Sequence, residues 1–324
     1  MTEEYSKIRY IKLHFILEIT EPATLPTQKA SMLRGGMGEM LLRTCCIADR
    51  NCENCEFEKE CIVRRIMYSK MEIQPEFMSS GDSVGYVVEC DDYRTAFMRG
   101  DRLEFRLLLL GKTIVYFSQI LEAFYRLGMS GIGKDKARYT IVGVLNSRKD
   151  PIMDGNDIHM ERFKVGRLGD YINYRMTKLI DPSCEEEEKE YRIRFTSPLS
   201  IKYNGELINA FALEAIVKAI ERRIYVLCCF EGIETEKNIF TGKTPMVETI
   251  TCKKVEIPRY SFRKSEKMVL WGLEGEAKLK KIDRKLLELM IAGELVHIGK
   301  NTSFGFGKYK LSYMIGDLIF SNII

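Results

Sequence analysis

Apolar and polar residues alternate from Tyr10 to Ile19. Ile11, Leu13, Phe15, Leu17 and Ile19 fall on one side, and Lys12, His14, Ile16 and Glu18 on the other. A period of two with one apolar face predicts a strand buried on one side only. The segment EPATLP interrupts it, and Ser31 is placed to cap a helix through MLRGGMGEMLLR. Leu103, Phe105, Leu107 and Leu109 alternate as another strand, after which Ile114, Phe117, Leu121 and Phe124 recur at helical spacing.

The same series returns later in the chain. A shift of 166 positions carries Leu103, Phe105 and Leu107 onto Val269, Trp271 and Leu273, and Leu121-Glu122 onto Leu287-Glu288. It also carries Ile132-Gly133-Lys134 onto Ile298-Gly299-Lys300. A constant offset that preserves the order strand, helix, Ile-Gly-Lys, strand predicts a duplicated unit. A polar stretch ending in DPSCEEEEKE separates the copies, and the second opens with the strand YRIRFTSPLSIK and a helix over Ala210–Arg222. Each half therefore reads as βαββαβ. The expected fold is α+β, with two tandem ferredoxin-like domains of the kind RNA-recognition modules share, and a cysteine-rich insertion (45–61) in the first. The expected boundaries are 1–150 for the first domain, 151–190 for a connector and 191–324 for the second.

Composition narrows the class. Hydrophobic residues make up 45% of the 324 residues, which suits folded domains rather than disorder. Apolar runs such as Leu107–Leu110 are too short to cross a bilayer. The opening MTEEYSKIRYIKLHF has no basic stretch followed by an apolar one, so a cytoplasmic protein with no membrane partner is expected. In that setting ten cysteines read as free thiols or metal ligands rather than disulfides. Cys46, Cys52, Cys55 and Cys61, with Cys45 as an alternative first member, form C-x5-C-x2-C-x5-C. The central pair can chelate one ion, and four thiolates suit structural zinc or an iron–sulfur cluster. Cys228 and Cys229 follow an apolar run and read as core. Net charge is only +4, but Lys253–Lys285 holds eleven Lys/Arg against five Asp/Glu.

The segment HIGKNTSFGFGKYKL, His297–Leu311, carries the most specific chemistry. Gly299, Gly305 and Gly307 permit positive φ and close backbone approach, so that N–H groups can meet phosphate oxygens while Lys300 and Lys308 neutralise charge. Phe304 and Phe306 can stack on bases or pack beneath the loop. The first copy, GIGKDKARYTI, is shorter and lacks the later glycines, so the loop is elaborated in one copy only.

This loop, the preceding PRYSFRKSEKMVLWGLEGEAKL (258–279) and the N-terminal LRGGMGEMLLRTCC (33–46) together resemble the CRISPR-associated endoribonuclease that processes precursor CRISPR RNA, within the repeat-associated mysterious protein (RAMP) superfamily. The resemblance implies metal-independent cleavage inside each repeat. A ribose 2′-hydroxyl attacks the adjacent phosphate, leaving 2′,3′-cyclic phosphate and 5′-hydroxyl ends, and no cofactor is required. It implies precursor and mature CRISPR RNA as partners, with a CRISPR effector complex and a homodimer as further assemblies.

Such chemistry needs a base, an acid and positive charge at the phosphorane. His297, beside the loop, and His14, on the polar side of the first strand, are the histidine candidates; His159 lies in the connector. Relatives carry a catalytic histidine near the first helix, where this chain has Thr27, Lys29, Ser31, Arg34 and Arg43. Lys29 and Arg34 are thus the candidates for stabilising the phosphorane. Arg259, Arg263, Lys264 and Lys267 join the loop as candidate RNA contacts. Two other readings compete: a non-catalytic RNA-binding RAMP subunit of an effector complex, and a redox- or metal-sensing protein built on the cysteines.

Overall fold

The computed structural model describes residues 4–52, 54–69, 71, 74–78, 83–179, 190–242, 247–261, 266–315 and 318–320. The chain divides into two compact units. One comprises Arg9–Val165 with Arg259–Met268; the other comprises Met1–Ile8, Gly166–Pro258 and Val269–Ile324.

The first unit runs β1 (Arg9–Ile19), α1 (Ala30–Cys45), α2 (Ile62–Met67), β2 (Tyr86–Glu89), β3 (Arg102–Leu110), α3 (Phe117–Ser130) and β4 (Tyr139–Leu145). Its sheet order is β2-β3-β1-β4, with antiparallel neighbours. That is the ferredoxin-like arrangement predicted from the alternation. The five apolar residues on one face of β1, Ile11, Leu13, Phe15, Leu17 and Ile19, are all buried, while Ile16 on the other face is half-buried, as the period of two requires. Phe15 stacks on Phe105 at 4.8 Å, and both lie near 5 Å from Phe124 of α3, so three predicted elements meet at one aromatic centre. Glycines let α1 press close to its neighbours. A Cβ on Gly36 would stand 2.5 Å from Leu127 of α3, and one on Gly38 would stand 2.5 Å from Met67 of α2. The helix begins one residue before Ser31, however. Lys29 occupies the N-cap position and no side chain caps the helix.

The second unit runs α4 (Leu168–Leu179), β5 (Glu190–Leu199), α5 (Leu213–Glu231), β6 (Val247–Ser261), β7 (Glu266–Lys280), α6 (Arg284–Val296) and β8 (Tyr309–Ile315), except that Arg259–Met268, at the adjoining ends of β6 and β7, belongs to the first unit. Its sheet order, β6-β7-β5-β8, repeats that of the first unit. The duplication is written in one hydrogen bond. Tyr139 donates its hydroxyl to the Phe124 carbonyl at 2.7 Å, and Tyr309 donates to the Met290 carbonyl, the equivalent position of α6. The constant offset holds for helix and loop but not for the strand before them. Leu103 and Phe105 are buried, whereas Val269 and Trp271 are 46% and 38% exposed. The cause is the joint between strand and helix. The first copy spends a 3-10 turn, Gly111–Tyr116, where the second passes from Lys280 to Arg284 directly.

The stretch read as a connector is structured as far as it is described. Pro151–Asp154 adds a strand beside β4, and α4 belongs to the second unit, so the division falls between Val165 and Gly166. Leu168, Ile172, Met176 and Leu179 are buried at helical spacing, a signal hidden among polar neighbours. Residues 180–189, which hold the acidic run, lie outside the described residues. Buried Arg175 and half-buried Tyr171 bind α4 to α6. Arg175 pairs with Glu294 at 3.0 Å and donates to the Leu311 carbonyl at 2.8 Å, while the Tyr171 hydroxyl donates to Glu294 at 2.8 Å. Among the described residues no helix is long and apolar enough to cross a membrane.

Candidate nucleic-acid interface

The glycine-rich loop starts where α6 stops. Asp283 caps the helix by accepting from the Leu286 N–H at 2.8 Å, and His297 ends it with φ of 58°. The loop then folds back onto the end of β5. Lys300 N donates to Ser200 O at 2.7 Å, Gly307 N to Pro198 O at 2.9 Å, and Lys308 N to the Ser197 hydroxyl at 2.9 Å. Inside the loop, Ile298 N reaches Gly307 O at 3.2 Å and Gly305 N reaches Thr302 O at 2.8 Å. Gly299 and Gly307 are required for this closure. Their φ values are 82° and 71°, and an added Cβ would lie 2.4 Å from Ser200 O and 1.8 Å from Ile298 O respectively.

These bonds correct the expected role of the backbone. The N–H groups of Ile298, Lys300, Phe304, Gly305, Phe306, Gly307 and Lys308 donate within the chain and do not point outward as a phosphate cradle. The glycines shape a rigid platform. Phe306 is buried at 4% exposure and packs beneath that platform, so it offers no stacking face, whereas Lys300 is exposed and Phe304 and Lys308 are half-buried. The shorter first copy closes in the same way, through mutual 2.9 Å bonds between Ile132 and Ala137.

His297 is 1% exposed, and its Nδ1 lies 3.0 Å from the Phe306 carbonyl. That placement makes it a fastener between helix end and loop rather than a group that meets a ribose hydroxyl. His297→Ala should therefore lower stability by about 2–3 kcal/mol, by orphaning a buried carbonyl and opening a cavity. Thermal unfolding checks this, and a parental melting temperature would contradict the buried role.

The other candidates lie in the first unit. His14 is half-buried on the polar side of β1, its Nε2 2.9 Å from Glu104, beside carboxylates that also include Glu89 and Asp91. Lys12 is drawn into the same network by Glu89 at 2.7 Å. Lys29 is fully buried. Its ammonium donates to the carbonyls of Asp92 at 2.8 Å and Arg94 at 2.5 Å, and burial lowers its pKa. It ties a loop to the start of α1 and has no face toward a ligand, which removes it from the catalytic candidates.

Arg34 is placed differently. It projects from α1, donates to the Ser83 hydroxyl at 3.0 Å, and acts on Arg259, whose own pKa burial lowers and Arg34's charge lowers further. Two guanidiniums held close and partly out of water form a field suited to an anion. The pairing joins two candidates that the sequence separates by more than two hundred residues. Lys267 is exposed at the start of β7; Arg263 and Lys264 lie outside the described residues. His159 stands 3.5 Å from Glu161, an exposed carboxylate two residues along the chain.

Cys45, Cys46, Cys52, Cys55 and Cys61 are all half-buried free thiols lining one cavity between α1 and α2. Among the described residues no three His, Cys, Asp or Glu side chains are already grouped to hold a metal ion. Cys228 is buried in α5, where burial pushes its thiol up to about 12, as suits a core residue.

Two units of the same strand order, each closed by a loop after its last helix, make a tandem ferredoxin-like fold. Comparison with known proteins makes this specific. Residues 193–309 match the model of the CRISPR-associated endoribonuclease Cas6, and residues 8–164 match a family model described as an N-terminal domain. An uncharacterized protein of Archaeoglobus fulgidus is 24% identical over 294 residues, covering 89% of this chain and 92% of its own. Among solved structures, a partial Cas6-RT-Cas1–Cas2 complex aligns with a TM-score of 0.60 and 13% identity, over 98% of this chain and 48% of that one. This chain thus spans about half the length of that relative. A Cas6 product complex, of a Thermus thermophilus protein, aligns with a TM-score of 0.50 and 13% identity over 93% and 99%. Over residues 193–309 the chain resembles the Cas6 endoribonuclease family, and it shares the fold of the solved Cas6 structures.

Proposed function

We propose that this protein is an endoribonuclease that cuts CRISPR precursor RNA within its repeats, by attack of a ribose 2′-hydroxyl on the adjacent phosphate. The observation that carries the reading is the match of the second unit to the Cas6 endoribonuclease model across the segment that contains the glycine-rich platform. The loop presents Lys300 and Lys308 to the RNA backbone from a rigid base. Arg34 and Arg259 stabilise the charge that accumulates on the phosphorane, a term that preorganised cations supply without reorganisation. No metal ion is needed for this step, and the products carry 2′,3′-cyclic phosphate and 5′-hydroxyl ends. Mature CRISPR RNA and a CRISPR assembly are the partners this reading implies.

His297 is buried against Phe306 and His14 pairs with Glu104, and this reading leaves proton transfer to solvent rather than to either of them. Charge stabilisation then dominates, and the cleavage rate should rise steadily with pH instead of passing through a bell near neutrality. Single-turnover rates from pH 5.5 to 9 check this; a bell-shaped profile would return a histidine to the reaction. Arg34→Ala and Arg259→Ala should each slow cleavage about a hundredfold while weakening RNA binding far less. Parental rates in both variants would remove the pair from the chemistry.

The same histidine placement favours one other reading, a RAMP subunit that holds CRISPR RNA without cutting it. The two separate on whether bound repeat RNA is converted to product.

A further inference from the structure

We propose that Cys46, Cys52, Cys55 and Cys61 bind one thiophilic divalent ion, zinc by its tetrahedral preference, as a structural staple between α1 and α2. Four sulfurs at this spacing line a single cavity of about 200 Å³, and none is spent in a disulfide. Residues 46–61 form neither helix nor strand where described, yet they join the ends of two packed helices. A segment of that length with no helix or strand among its described residues, inside a compact unit, calls for another source of order, and a bound metal supplies one.

The local backbone is already bent for ligation. Asp49 and Arg50 take φ values of 43° and 64°, and the Arg50 N–H donates to Cys46 Sγ at 3.3 Å. An amide hydrogen aimed at a sulfur fixes the direction that sulfur presents to a ligand. Arg50 is itself fixed to α1, its guanidinium 2.7 Å from Glu39. Arg64 lines the same cavity and is held by Glu58 at 3.0 Å. The remaining wall is largely apolar, from Leu42, Ile62 and Val63, which keeps water from an ion held there. Ligation pulls the four sulfurs inward from the cavity wall to one centre and closes the loop, releasing the thiol protons as the sulfurs bind. Four protein ligands leave no open coordination position, so the role is structural and independent of how the RNA reading fares.

The full-length protein, purified and then titrated with zinc chloride, tests the proposal. One ion per chain should be retained through gel filtration. Cobalt substitution should give thiolate-to-metal absorption with a tetrahedral visible spectrum. Cys55→Ser should weaken zinc binding about a hundredfold or more, and Cys252→Ser, outside the cavity, should leave it unchanged. Should Cys55→Ser fail to fold, alkylation of the parental protein decides. Zinc should protect Cys46, Cys52, Cys55 and Cys61 and leave Cys252 reactive. Equal labelling with and without zinc, an octahedral cobalt spectrum, or a brown protein containing iron and sulfide would each overturn the assignment.

Discussion

Gly307→Val should destabilise the second unit by at least about 4 kcal/mol and remove the RNA-binding platform with it. A β-branched residue at a φ of 71° carries a steric penalty of about 1–2 kcal/mol before any neighbour is considered. Its Cβ would also stand 1.8 Å from Ile298 O, which cannot retreat without straining the backbone. The Ile298–Gly307 and Gly307–Pro198 hydrogen bonds, each worth about 1 kcal/mol net, would break as the chain moved aside. Two controls separate shape from charge. Gly305→Asn occupies a left-handed position with φ of 83° that asparagine tolerates, so it should cost about 1 kcal/mol or less. Lys300→Ala, at an exposed position, should leave the melting temperature unchanged while weakening RNA binding. Thermal unfolding and repeat-RNA titration of the three variants check this ordering. Equal stability for Gly307→Val and the parent would refute the close backbone approach on which the platform depends.

Glu294→Ala should be nearly as damaging, through electrostatics rather than sterics. Its carboxylate is 3% exposed and accepts from Arg175 Nη2 at 3.1 Å, the Tyr171 hydroxyl at 2.8 Å and the Leu311 N–H at 3.0 Å. Removing it leaves a buried guanidinium uncompensated, which typically costs about 3–5 kcal/mol, or roughly 10 °C in melting temperature. Arg175→Met combined with Glu294→Leu removes both charges and should recover part of that loss, since a buried ion pair contributes little against an apolar replacement. If the single variant melts within about 2 °C of the parent, α4 is not held as described.

How much of this was legible beforehand follows from which signals are local. Two strands of the first half announced themselves by alternation, Ile11 to Ile19 with Ile16 alone breaking the polar side and Leu103 to Leu109, whereas Tyr86–Glu89 is buried on both faces and gives no such signal. The duplicated order of elements was equally open, since helix and loop keep one offset. Where the strand–helix joint shortens, however, sequence alignment placed buried Phe105 opposite exposed Trp271. Helix α4 was missed because its apolar residues come every three or four positions among charged neighbours.

Side-chain roles were less legible than the fold. Nothing in HIGKNTSFGFGK distinguishes an outward-facing loop from one whose N–H groups turn inward to Pro198 and Ser200, a hundred residues earlier. His297 and Lys29 looked available because both stand beside functional-looking segments. Their burial is decided by long-range packing, as is the approach of Arg34 to Arg259. The cysteine spacing, by contrast, is a local signal, and all its members do line one cavity.

Whether the chain cuts repeat RNA using its own cations is decided in a single reaction. Purified protein is incubated with end-labelled CRISPR repeat RNA in excess EDTA, and the ends of the products are analysed. Cleavage at one position is expected, with 5′-hydroxyl and 2′,3′-cyclic phosphate ends. Tight binding with the RNA left intact, or cleavage that appears only when a divalent metal is restored, would contradict the proposed chemistry.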